Sequence, residues 1–84
     1  MVKKIAVIGT GYVGLVSGAC FAYLGHKVIA LDIDIEKIER LKRGEVPIYE
    51  PGLDRILKKA IKDGNIEFTA DYSYAVGSSD YIFI

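Results

Sequence analysis

The apolar positions of this chain fall into two kinds of run, and the two alternate. Ile5-Ala6-Val7-Ile8 is short, β-branched and apolar without a break, as expected of a parallel strand covered on both faces. Lys27 to Leu31 reads Lys-Val-Ile-Ala-Leu and predicts a second buried strand, with Asp32 at its C-terminal end. Between them Val13, Val16, Ala19, Cys20, Tyr23 and Leu24 recur at helical spacing, and Gly25 stands where a left-handed C-terminal cap belongs. Asp34 predicts the cap of a short helix whose Ile35, Ile38 and Leu41 share a side, with Gly44 at its end. After a non-regular stretch from Glu45 to Glu50, Pro51 fits a first helical position. Leu53, Ile56, Leu57, Ala60 and Ile61 then form an apolar stripe, Lys58, Lys59 and Lys62 gather near the negative helix end, and Gly64 closes it. Ile66 to Thr69 predicts a third strand, Asp71 a cap for a helix through Val76, and Asp80 to Ile84 a fourth, buried strand.

Strands alternating with helices argue for an α/β fold: a Rossmann-type parallel sheet with flanking helices, the fourth strand beside the first. Residues 1–84 then form one domain whose C-terminal end is incomplete, because a buried strand ending at Ile84 lacks the loop and helix that should cover it. Half of the residues, 51%, are hydrophobic, which favours a folded core over disorder.

Eleven basic and eleven acidic residues cancel, so no global field draws nucleic acid or an anionic membrane, and any phosphate binding must be local. A single cysteine excludes an internal disulfide and a CxxC metal cluster. No metal site is expected. The apolar run after Met1, Val2, Lys3 and Lys4 stops at Gly9 without a cleavage-site pattern, and nothing approaches the length of a membrane span. A cytoplasmic protein is expected.

The local phosphate site has a candidate. Gly9-Thr10-Gly11-Tyr12-Val13-Gly14 is GxGxxG, a weak signal alone, but here it follows a buried strand, opens a helix, and is followed eighteen positions after Gly14 by an acid ending the next strand. Each position has a physical reason. Gly9 permits the tight turn, Gly11 lacks the Cβ that would obstruct a pyrophosphate, and Gly14 lets the helix pack close to the sheet, a contact extended by Gly18. The helix N-terminus carries a partial positive charge of roughly half an electron and so can bind a diphosphate without a lysine. Asp32 would accept hydrogen bonds from the adenosine ribose and repel a 2′-phosphate, favouring NAD over NADP. The bland alternative is that the glycines serve only a turn. Lys37, one turn into the next helix, reaches the ribose or a phosphate or is a solvated surface lysine, and spacing leaves both open.

The motif resembles a known family. Gly9 to Gly18, Leu24-Gly25-His26, Leu31-Asp32-Ile33-Asp34 and Pro47-Ile48-Tyr49-Glu50-Pro51-Gly52-Leu53 resemble the N-terminal domain of UDP-glucose 6-dehydrogenases, over the whole chain. The Gly-Tyr-Val-Gly form and Glu50-Pro51-Gly52-Leu53 are shared with dehydrogenases of UDP-N-acetylmannosamine and GDP-mannose, whereas Leu15 to Cys20 and Gly25-His26 look most like the UDP-glucose branch. The resemblance implies two successive NAD-dependent oxidations of a UDP-sugar alcohol to a carboxylate in a homo-oligomeric enzyme. It also implies cofactor contacts at Val13, Asp32 and Lys37, and a catalytic cysteine outside these residues, so that the chain contains no catalytic residue of its own. Cys20 is expected as a small core residue of the first helix. Glu50 is expected to shape the loop before the Pro51 helix, and His26 to serve a helix terminus. Tyr72, Tyr74 and Tyr81, without a basic patch, are expected to pack. A free-standing NAD-binding regulatory module and a degraded gene product are the alternatives from other classes.

Overall fold

The computed structural model describes residues 2–45 and 52–84. Its elements run β1 (Lys4–Ile8), α1 (Tyr12–Tyr23), β2 (Lys27–Leu31), α2 (Ile35–Lys42), α3 (Leu53–Lys62), β3 (Ile66–Thr69), α4 (Tyr72–Gly77) and β4 (Tyr81–Phe83). All strand pairs are parallel, in the order β3-β2-β1-β4, with Val7 opposite both Ala30 and Phe83. The expected placement of the fourth strand beside the first is what the sheet has.

Side chains of a strand point alternately to the two faces, and the core divides accordingly. Ile5, Val7, Val28, Ala30, Ile66 and Phe68 meet Leu15, Ala19 and Ala22 of α1, Ile38 and Leu41 of α2, and Leu53, Leu57 and Ala60 of α3. On the other face Ala6, Ile29 and Leu31 meet only Ala75 of α4, with Ile8 partly covered. Three helices therefore cover one face, and a single short helix the other.

The helix ends follow the sequence signals. Asp34 accepts a hydrogen bond from the Lys37 N–H (3.1 Å) and Asp71 from the Tyr74 N–H (3.0 Å), satisfying amides that a helix start leaves unpaired. At the end of α1 the Gly25 N–H bonds to Ala22 O and the His26 N–H to Phe21 O, a two-bond closure requiring the positive φ of 98° that Gly25 adopts. The same closure ends α2 and α3.

Several expectations need correction. The buried side of α1 carries Leu15, Ala19 and Ala22, whereas Cys20, Val13, Tyr23 and Leu24 are exposed. Cys20 is thus a surface thiol and not a core residue. The reason is that α1 is apolar nearly all the way round, so periodicity does not say which side meets the sheet; the side bearing Gly18, which faces Val28 and Ile66 with room for no more than a methyl group, is the one that fits. Tyr72, Tyr74 and Tyr81 are also exposed rather than packed. Tyr74 donates its hydroxyl hydrogen to Glu67, and Tyr81 lies under the Lys3 ammonium. Strand β4 is an exposed edge, not a buried strand, because β1 is its only neighbour among the described residues. Helix α3 begins at Leu53 after a left-handed Gly52; Pro51 and the stretch 46–50 before it lie outside the described residues.

The two glycines inside α1 differ in a way that can be measured. A Cβ on Gly14 would lie 2.0 Å from the Gly9 carbonyl oxygen, whereas one on Gly18 would lie 3.6 Å from side-chain carbons of Ile66 and Val28. Urea unfolding is expected to show Gly14→Ala destabilised by about 3 kcal/mol, the upper range for overpacking. Gly18→Ala is expected to gain about 0.5–1 kcal/mol from lower backbone entropy in the unfolded chain.

Candidate functional site

The turn after β1 is held from both sides. Gly9, at φ 93°, donates its N–H to the Leu31 carbonyl at the end of β2 (2.7 Å), and its own carbonyl is the atom against which Gly14 rests. Gly14 packs onto both this carbonyl and Val7 of β1, so the first turn of α1 sits directly over the strand end. Around Gly11 the opposite holds: a Cβ there would meet nothing within 4 Å. The turn is closed toward the protein and open outward.

Asp32 joins this turn across 22 residues. Its Oδ2 accepts from the Thr10 N–H (3.0 Å) and from the Thr10 hydroxyl (2.8 Å), and its Oδ1 from the Asp34 N–H (2.9 Å). Burial pushes its carboxyl up, but the Asp34 N–H, the two Thr10 donors and the nearby Lys37 ammonium outweigh that and hold it below the ordinary carboxylate value. Asp32 is therefore an anion at neutral pH. Lys37 Nζ stands 3.9 Å from Oδ2, too far for a hydrogen bond but close enough to feel the charge.

Helix α1 is electrostatically unlike its neighbours. Helices α2 and α4 are capped by their own aspartates, and α3 carries Asp54 in its first turn. At Gly11 no side chain caps α1, and no acid lies in its first turn. Among the described residues no cap or first-turn acid offsets the positive end of its dipole. A cleft of about 460 Å³ lies there, between the glycine turn and the end of β4, walled by Val7, Ile8, Gly9, Gly11, Val13, Gly14, Phe83 and Ile84. It occupies the gap where strand order reverses from β1 toward β4, the place where ligands of open α/β sheets bind. A second hollow of about 390 Å³ beyond Asp32 is lined by Asp34, Glu36, Lys37 and Arg40. The cleft beside Gly11 forms an open groove at the uncapped start of α1.

The structure brings Gly9, Thr10, Gly11, Val13, Gly14, Asp32 and Lys37 together at one end of the sheet. Tyr12 opens α1 through its backbone, and Val13 is 67% exposed on the cleft wall. Thr10 is the exception in orientation, at 1% exposure. Phe83 and Ile84 were not singled out by motif reading; their signal was topological, since they end the strand predicted to lie next to β1. His26 lies at the opposite end of β2, where its Nδ1 accepts the Lys3 N–H (3.1 Å). Glu50 and its neighbours from Pro47 to Pro51 fall outside the described residues. Among the described residues no cluster of three metal-ligating side chains occurs, and no helix is long and apolar enough to cross a membrane.

Comparison with known proteins agrees with this geometry. Residues 3–84 match the model of the UDP-glucose/GDP-mannose dehydrogenase family, NAD binding domain. UDP-glucose 6-dehydrogenase TuaD of Bacillus subtilis is 57% identical over 82 residues, 98% of this chain and 18% of that protein. UDP-glucose 6-dehydrogenase of Rhizobium meliloti is 52% identical over 81 residues, 96% of this chain and again 18% of that protein. The solved UDP-glucose dehydrogenase of the archaeon Pyrobaculum islandicum superposes with a TM-score of 0.94 at 39% identity, covering all of this chain and 19% of that one. The chain thus spans about a fifth of the length of the relatives it matches, and over that span it belongs to the UDP-glucose/GDP-mannose dehydrogenase family as its NAD-binding domain.

Proposed function

We propose that the intact protein is an NAD-dependent nucleotide-sugar dehydrogenase acting on UDP-glucose, and that Gly9, Thr10, Gly11, Tyr12, Val13, Gly14, Asp32 and Lys37 build its cofactor site. The observation that carries this reading is the uncapped N-terminus of α1 facing an open groove with the Asp32 anion set beside it. The residues fit the group. The amides at the start of α1 would hold the pyrophosphate over Gly11, where no side chain intrudes. The Asp32 carboxylate would accept a ribose hydroxyl, and Lys37, 3.9 Å from that carboxylate, would donate to the same sugar. The apolar walls formed by Ile8, Val13 and Phe83 would keep water from the reacting end of the groove.

Bound NAD supplies the hydride acceptor for the two oxidations of the sugar alcohol. The second oxidation in this family needs a thiolate nucleophile, and Cys20 does not offer one to the groove: it lies about 13 Å along α1 from Gly11 at the helical rise. The nucleophile and the sugar pocket belong to other parts of the enzyme. The preference for UDP-glucose rests on the 57% and 52% identical relatives that carry that name. Its direct test is NADH production by the intact protein with UDP-glucose, UDP-N-acetylmannosamine or GDP-mannose as the sole substrate. Faster turnover with either of the latter two would move the assignment to another branch.

Two binding experiments test the cofactor site. In calorimetry NAD is expected to bind more tightly than NADP, and Asp32→Ala to weaken NAD roughly 10- to 100-fold, the worth of a hydrogen bond to a charged group, while narrowing the gap to NADP. Equal affinity of the unsubstituted protein for both would remove Asp32 from the site. Gly11→Val is expected to abolish NAD binding with the unfolding midpoint little changed, since the new side chain would fill the groove and not the core. Retained affinity would place the diphosphate elsewhere. Because Asp32 is held below the ordinary carboxylate value, NAD affinity is expected to stay level through neutral pH and to fall only as acid protonates this carboxylate; a loss centred near pH 6 would point to a different group.

A further inference from the structure

Thr10 occupies a motif position usually counted as a spacer between two glycines, yet it is the one buried polar residue of the fold among those described, 1% exposed. Its side chain faces away from the groove. Its hydroxyl and its N–H both end on Asp32 Oδ2, at 2.8 and 3.0 Å. A carboxylate offers about four acceptor positions, two on each oxygen. Thr10 takes both on Oδ2, the Asp34 N–H takes one on Oδ1, and a single position on Oδ1 is left for a ligand. The Thr10 N–H would be supplied by any residue other than proline, but only Ser or Thr supplies the second donor.

We propose that Thr10 is a positioning residue for cofactor recognition: without touching the cofactor, its buried hydroxyl locks the Asp32 carboxylate so that one oxygen, Oδ1, alone is presented to the ribose. This rests on the cofactor reading given above and adds a residue that acts through Asp32. The bond has a second consequence. It ties the glycine turn to the end of β2, so the group that meets the ribose and the turn that meets the diphosphate are placed by the same contact. A carboxylate freed from this contact turns about its Cα–Cβ and Cβ–Cγ bonds, and part of the binding free energy is then spent on fixing it.

The test uses the intact protein with Thr10→Val, which keeps the branched shape but loses the donor, and Thr10→Ser, which keeps the donor. Carbon-13 NMR of the ligand-free protein, with Asp32→Asn to assign the signal, follows the carboxyl titration; among the described residues the charged groups beside this carboxylate are Lys37 and Asp34. Calorimetry gives NAD affinity, and steady-state kinetics separates KM from kcat. Thr10→Val is expected to raise the Asp32 titration midpoint, to weaken NAD about tenfold, and to raise the KM for NAD by the same factor with kcat unchanged, as loss of uniform binding requires. Thr10→Ser is expected to stay within about threefold of the unsubstituted protein. An unshifted midpoint in Thr10→Val would overturn the lock. A shifted midpoint with unchanged NAD affinity would overturn its role in recognition. If the unsubstituted protein titrates as expected but binds no NAD, the cofactor reading itself falls and takes this inference with it, an outcome the ligand-free titration separates from failure of the lock.

Discussion

The site depends on one close approach, that of Gly14 to the carbonyl of Gly9. With no Cβ between them the first turn of α1 rests on the end of β1, and a side chain at that point would overlap the carbonyl oxygen. Everything anion-directed follows from it. The helix start is held over the switch point between β1 and β4, its unneutralised dipole end opens into the cleft, and Gly9 remains close enough to β2 for its N–H to reach Leu31 O. Thr10 then falls next to Asp32 rather than in the groove.

In a chain with no net charge, the proposed site would draw an anion through one helix end left uncompensated among the described residues. Asp34, Asp54 and Asp71 neutralise the starts of α2, α3 and α4, while the start of α1 receives neither cap nor acid. Asp32, the carboxylate bound to the turn before that start, has most of its acceptor capacity taken up by Thr10 and Asp34. It shapes the end of the groove without neutralising the helix. In the proposed site the arrangement separates attraction from selection: backbone amides would attract a diphosphate, and a fixed anion some residues away would discriminate between ribose and phosphorylated ribose.

Not every residue that looked chemical serves chemistry. His26 is a backbone acceptor at the far end of the sheet. Cys20 and the three tyrosines lie on the surface. Cys20 and Tyr81 show why. For α2 and α3 the apolar residues form a narrow stripe that names most of the buried side: Ile38, Leu41, Leu53, Leu57 and Ala60 are buried as their spacing predicts, whereas Ile35, in the first turn of α2, is exposed. In α1 small and apolar residues occupy every side, and burial is decided by which side lets the backbone come closest to the sheet. In β4 the apolar run is as strong as in β1, but among the described residues the strand has a neighbour on only one edge.

The sequence by itself determined the element order, the caps at Asp34 and Asp71, the glycine-closed helix ends, the parallel strand pairing and the glycine turn with its acidic partner. Each is encoded locally, by the φ that glycine permits, by side-chain oxygens within reach of their own helix start, or by runs of β-branched residues. Only the tertiary structure decided which side of α1 is buried, that Phe83 and Ile84 wall the cleft, and that Thr10 turns inward to hold Asp32. Those outcomes depend on distances between segments tens of residues apart, and a linear pattern carries no term for how closely two backbones pack.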